Sequence, residues 1–213
     1  MEVNEMKVLL VNGSPKKNGC TYTALAEVAG ELNKQGIETE IFHIGTEAVK
    51  GCSGCGYCSK TGKHQCVYTD DTLNEAILKA KDADGFIFGT PVHYASASGA
   101  ITSFMDRLFM AGYSFANKPA AAVASCRRGG ATATLDQLNR YFTYSNMPVV
   151  PSQYWNMVHG NTPDEVKQDL EGLQTMRTLA KNMAWLLKCI EAGNKAGIEL
   201  PQLEEKIKTN YIR

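Results

Sequence analysis

Four cysteines, Cys52, Cys55, Cys58 and Cys66, follow one another in the spacing C-x2-C-x2-C-x7-C. Three thiolates at a repeat of three, with Gly51, Gly54 and Gly56 between them, can wrap one face of a small metal–sulfur cluster. Glycine supplies the positive φ angles such a wrap requires and leaves N–H groups free to point at sulfur. Zinc suits four thiolates equally well, since closed tetrahedral sulfur ligation is one of its ordinary forms. A third reading has no metal, the thiols being free or partly oxidised. Spacing separates none of these. His64 lies inside the same stretch and is a further donor that could replace a thiolate. The bacterial ferredoxin run shares the first three cysteines but closes in C-x3-C-P, whereas here the fourth lies farther on and no proline follows.

A second constellation begins at VNGSPKKNGCTYTAL, residues 11–25. A buried apolar run stops at Asn12-Gly13, and a helical pattern starts near Thr21. The loop between them exposes backbone N–H groups, and the helix adds its positive dipole end. Ser14 and Thr21 add hydroxyls, Asn18 an amide, Lys16 and Lys17 charge. Together these suit a phosphate. A nucleotide P-loop is excluded, because five residues separate Gly13 from Gly19 and Cys20 stands where its lysine belongs. The dinucleotide fingerprint fails too, since Gly13-Ser14-Pro15 is not G-x-G. A monophosphate is the better match. Two later loops, TPVHYASASG (90–99) and CRRGG (126–130), bring Pro91, His93, Tyr94, two guanidiniums and the donors of Gly129 and Gly130. A phosphate seat with two loops able to grip a flat heterocycle points to a flavin mononucleotide, FMN.

These loops need a scaffold, and the pattern supplies one. Strands are expected at 7–12, 37–44, 85–89, 119–125 and 147–152, and helices at 21–35, 70–82, 98–111, 131–145 and 163–192. The cysteine-rich loop fills 45–69, and a tail with no assigned element follows the last helix. Strands alternating with helices pair in parallel through right-handed crossovers, giving an α/β three-layer sandwich with a five-stranded parallel sheet. All 213 residues fit one domain, with a C-terminal helix and tail at 163–213. Lysine plus arginine balance aspartate plus glutamate at 22 each, which argues against nucleic acid or an anionic membrane as partner. No window approaches a bilayer span of about 18–20 apolar residues. The opening MEVNEMKVLL has acidic groups where a secretory signal would be basic, so a cytoplasmic protein is expected, its seven cysteines kept reduced.

The stretches GSPKKNGCT and TPVHYASASGAITSFMDR, with the glycine loop after the fourth strand, resemble the NADPH-dependent FMN reductase family of flavodoxin-like proteins. With the cysteine run added, the chain is most similar to the iron–sulfur flavoproteins. The resemblance spans roughly residues 6–160 and implies a flavodoxin-like fold, bound FMN and a homodimer or homotetramer. It implies that Ser14, Lys16, Asn18, Gly19, Cys20 and Thr21 hold the phosphate. It sets Pro91, Val92, His93 and Tyr94 beside the isoalloxazine ring, with Ser125, Cys126, Arg127, Gly129 and Gly130. Cys20 departs from the asparagine or serine common at its place. For Cys52, Cys55, Cys58 and Cys66 the resemblance implies a [4Fe–4S] cluster. It implies an FMN-dependent oxidoreductase moving electrons between NAD(P)H or a redox partner and a small-molecule or protein acceptor. Two alternatives stand beside it: a cluster-free NAD(P)H-dependent reductase of FMN, quinones or azo compounds, and a non-enzymatic electron carrier or redox sensor. No side chain is required as a nucleophile or base. Arg127 and Arg128 suit the 2′-phosphate of NADPH or are simply solvated. His43 is expected as a satisfied strand-end residue, Cys189 as core, and Trp155 and Trp185 as packing or interface residues. His159 is assigned no role.

Overall fold

The computed structural model describes residues 6–202, 204, 205, 207 and 209. The opening residues 1–5 and part of the expected tail lie outside the described residues. The elements run β1 (Lys7–Asn12), α1 (Cys20–Lys34), β2 (Glu38–His43), α2 (Tyr57–Thr61), α3 (Leu73–Lys81), β3 (Gly85–His93), β4 (Ser96–Ala97), α4 (Gly99–Ala111), β5 (Ala120–Cys126), α5 (Ala131–Tyr144), β6 (Met157–His159), α6 (Pro163–Gln168) and α7 (Leu170–Lys195). Five strands pair in parallel in the order β2-β1-β3-β5-β6, and β4 folds back antiparallel on β3.

The central strands are apolar along their whole length because both faces are covered. In β1, Val8 and Leu10 join Leu25, Val28, Met183 and Leu187 under α1 and α7. Leu9 and Val11 point the other way, into Phe86, Phe88, Phe104 and Leu108 beside α3, α4 and α5. Gly89 sits where α1 crosses β3; a Cβ there would meet Leu25 Cδ1 at 2.8 Å and Thr21 Cγ2 at 2.9 Å. This close approach clamps the first turn of α1 onto the sheet. The chain leaves β1 toward β2 on one side and β3 on the other, and a crevice opens at such a switch point above the strands' carboxyl ends.

Four expectations are corrected. The fifth parallel strand is 157–159, not 147–152. Val149 makes only an isolated bridge to Ala120, and Pro151, with no N–H to donate, ends the pairing before the chain returns at Met157. The helix expected over 163–192 is two helices broken at Asp169, whose carboxylate caps Gly172 N at 2.9 Å and accepts from His159 N at 2.7 Å. The third strand does not stop at residue 89 but runs through Pro91 and Val92 to His93, turning at Tyr94 with φ +61°. Cys189 is exposed rather than core, and Trp155 and Trp185 are also exposed. The cysteine loop contains a short helix, α2, that the sequence pattern does not announce. No helix among the described residues is long and apolar enough to cross a membrane.

Candidate functional site

The loop after β1 is wired from within. Buried Asn12 accepts from Ser14 N at 3.1 Å through Oδ1 and donates to the Lys17 carbonyl at 3.0 Å through Nδ2. Ser14 Oγ accepts from Lys16 N at 3.1 Å, and Gly19 N donates to the Lys16 carbonyl at 3.1 Å. His43 holds the loop from β2, its Nε2 lying 2.8 Å from the Ser14 carbonyl, so it is a satisfied residue as expected. These bonds leave the amides of Asn18, Cys20 and Thr21 without a hydrogen-bond partner beyond their own residue among the described residues. Such amides, just before and in the first turn of a helix, are the donor set a monophosphate requires.

The other predicted residues collect along the same edge. Thr21 Oγ1 lies 2.8 Å from Ser125 Oγ, a buried link between the start of α1 and the end of β5. Lys16 and Asn18 are exposed; Cys20 turns its sulfur to the Gly160 carbonyl at 3.6 Å, and burial pushes its thiol pKa up. Pro91 and Val92 are half-buried in the strand, and His93 and Tyr94 stand exposed at the hairpin. A Cβ on Gly130 would meet Val92 Cγ1 at 2.7 Å, so the loop after β5 is packed directly against that hairpin. Arg127, Arg128 and Gly129 are exposed. Buried Cys126 lies 3.5 Å from His159 Nδ1, and desolvation raises its thiol pKa. Donors for a phosphate and two touching loops for a planar ring thus occupy one rim, a donor set that fits FMN.

The cysteine run forms a separate place. Cys52, Cys55, Cys58 and Cys66 all line one open cavity of about 90 Å³, bordered also by Tyr57, Tyr68, Arg107 and Met110. Gly54 and Gly56 adopt φ +66° and +70°, the left-handed turns anticipated from the spacing. The Tyr57 amide, with the Ser53 hydroxyl, holds the Cys55 thiol below its ordinary pKa. Arg107 Nε donates to Cys66 Sγ at 3.2 Å. The N–H that Arg107 donates to Cys66 and a cavity shared by the four cysteines fit sulfur ligands. Among the described residues, no three His, Cys, Asp or Glu side chains already stand at metal-binding separation. His64 is engaged elsewhere, stacked on Tyr113 at 4.2 Å with Nδ1 3.0 Å from the Gly112 carbonyl.

Sequence reasoning missed Arg107, Asp71 and Tyr68. The available signal was an arginine beside the apolar stripe Ile101, Phe104, Met105 and Leu108, in the interior of a helix. Its side chain is 1% exposed and ion-paired to Asp71. A charge so buried has a specific partner.

Comparison with known proteins agrees with this geometry. A family profile described as NADPH-dependent FMN reductase matches residues 6–162. An iron–sulfur flavoprotein of Methanocaldococcus jannaschii is 34% identical, covering 87% of this chain and 100% of that protein. One from Archaeoglobus fulgidus is 29% identical, over 85% and 97% of the two chains. Among solved structures, an archaeal flavodoxin aligns with a TM-score of 0.58 at 14% identity, covering 86% of this chain and 99% of that one. RosB, solved with 8-demethyl-8-formylriboflavin-5′-phosphate, gives a TM-score of 0.67 at 15% identity, covering 98% and 94%. The fold is the three-layer α/β sandwich the alternating pattern predicts, in the flavodoxin-like form that the resemblance implies.

Proposed function

Because the chain belongs to the NADPH-dependent FMN reductase family, it is a flavin-dependent oxidoreductase, and we propose that it works with two redox centres, FMN at the sheet edge and a [4Fe–4S] cluster in the cysteine cavity. The observation that carries the second centre is the single cavity lined by all four cysteines of the run, with the Arg107 Nε–H donated to one of them, Cys66.

Bound FMN supplies a ring that takes electrons in pairs from a hydride donor and releases them singly; a cluster supplies one-electron exchange. The chain's contribution is binding and orientation. The amides of Asn18, Cys20 and Thr21, with the Ser14 hydroxyl and Lys16, neutralise the phosphate. Gly19 lets the loop approach it closely. Pro91, Val92, His93 and Tyr94 border one side of the ring, and Ser125, Cys126, Arg127, Gly129 and Gly130 the other. Cys52, Cys55, Cys58 and Cys66 hold the cluster. NAD(P)H is the donor, an electron-accepting small molecule or protein completes the turnover, and the working form is a cytoplasmic homodimer or homotetramer.

Separated sulfurs favour one second reading, a cluster-free reductase whose cysteines bind no metal. The deciding experiment titrates apoprotein with FMN by flavin fluorescence and assays iron and acid-labile sulfide after anaerobic reconstitution. Saturable FMN binding with about four iron and four sulfide per chain supports two centres. FMN without iron supports the second reading, and no FMN binding rejects both.

A further inference from the structure

Both ends of the cysteine run, Cys52 to Cys66, meet at one side chain. Arg107 projects from α4, its side chain 1% exposed, and uses its guanidinium nitrogens in different directions. Nη1 donates to the Lys50 carbonyl, just before the first cysteine of the run, at 3.2 Å. Nε donates to Cys66 Sγ, near the loop's end, at 3.2 Å. Nη1 and Nη2 together grip the Asp71 carboxylate, whose side chain is 7% exposed and whose other bond, 3.1 Å to Leu73 N, starts α3. The Tyr68 ring lies 5.2 Å from the guanidinium carbon. A planar fork with a fixed charge can satisfy all of these at once; an ammonium cannot.

We infer that Arg107 is the positioning residue of the second centre: it fixes Cys66 as a ligand and raises the reduction potential of what the cysteines hold. The inference rests on the cluster reading above. One-electron reduction adds a negative charge to the cysteine site and moves no proton. A permanent cation and an N–H···S bond, both desolvated, favour the more negative form, which raises the potential. Asp71 acts in the opposite sense. It anchors the fork, and its own charge offsets part of the guanidinium's.

The test uses holoprotein reconstituted anaerobically with FMN, iron and sulfide, as wild type, Arg107→Lys and Asp71→Asn. The readouts are the cluster midpoint potential, from a dithionite titration followed by electron paramagnetic resonance, and iron release to a chelator. Arg107→Lys keeps the charge but loses the Nε–sulfur bond. Its potential is expected to fall, and its iron to be lost about ten- to hundredfold more readily. Asp71→Asn keeps both loop bonds and removes the opposing charge, so its potential is expected to rise. A purely structural role moves both variants in the same direction or neither, and that result overturns the inference. Asp71→Asn alone decides the matter if Arg107→Lys fails to fold: a fall or no change refutes it. Wild-type protein that takes up no iron and sulfide rejects the cluster reading and this inference together. A loaded wild type with an unmoved Arg107→Lys potential rejects the inference alone.

Discussion

Gly89→Ala tests whether the phosphate seat depends on the seating of α1. The new Cβ would lie 2.8 Å from Leu25 Cδ1, 2.9 Å from Leu25 Cγ and 2.9 Å from Thr21 Cγ2, where ordinary contact begins at 3.4 Å. The start of α1 must therefore lift by about 0.6 Å, since Leu25 and Thr21 are both buried against the sheet. Overpacking of this kind costs about 1–3 kcal/mol. In a domain of this size that is a fall of roughly 2–12 °C in melting temperature of the apoprotein. The same lift displaces the Cys20 and Thr21 amides and strains the Thr21–Ser125 link. Misaligning one charge-assisted bond, worth about 1.5–3 kcal/mol, weakens FMN binding about ten- to hundredfold. Fluorescence titration with FMN and thermal melts of the apoprotein measure the two effects separately. Leu25→Ala combined with Gly89→Ala should lose less stability than the two changes summed, because truncating Leu25 relieves the clash made by the new Cβ at residue 89. A destabilised variant that binds FMN as tightly as wild type would refute the placement of the phosphate at this loop. Unchanged stability would refute the packing argument itself.

Cys55→Ser should abolish iron uptake while leaving FMN affinity within about twofold of wild type, since the cavity and the rim share no residue; iron assay and fluorescence titration check both halves. Glu40 is pushed up by burial, but hydrogen bonds from Lys79 and Lys7 overcome this and hold its carboxyl below its ordinary pKa. Its contribution is present above the ordinary carboxylate range and disappears as pH falls through the lowered value. Urea melts of wild type and Glu40→Gln should then differ by on the order of 1 kcal/mol at neutral pH and converge in acid; a gap that widens in acid contradicts the assignment. Thr134 is fully buried and its hydroxyl has no partner among the described residues. Thr134→Val should therefore be neutral or stabilising by up to about 1 kcal/mol in the same melts, and a clear loss would mean the hydroxyl is bonded.

The central sheet was legible because its strands are buried on both faces, so Val8–Val11 and Phe86–Phe88 stand out without alternation. The loop after β1, proposed to seat the phosphate, was legible for a local reason: strand, glycine loop and helix start are contiguous in sequence. Failures came where tertiary partners override local pattern. The apolar Val149-Val150 pair reads as a strand, but prolines at 148 and 151 bracket it and the lasting pairing moves to Met157. Asp169 sits inside a helical periodicity, yet its carboxylate serves His159 N and Gly172 N and breaks the helix there. In the cysteine cavity, the four cysteines that line it stood out from their spacing. Arg107 was not, because its partners Cys66, Asp71 and Lys50 lie 41, 36 and 57 residues away, and no local rule joins them.

The claim on which the account stands is that one chain carries a flavin and an iron–sulfur centre at two distinct places. The visible absorption spectrum of protein reconstituted without oxygen, recorded before and after dithionite, tests it most directly. Two flavin bands on a broad iron–sulfur shoulder, all bleached by the reductant, are the predicted result. Flavin bands alone, after exposure to excess iron and sulfide, would contradict it.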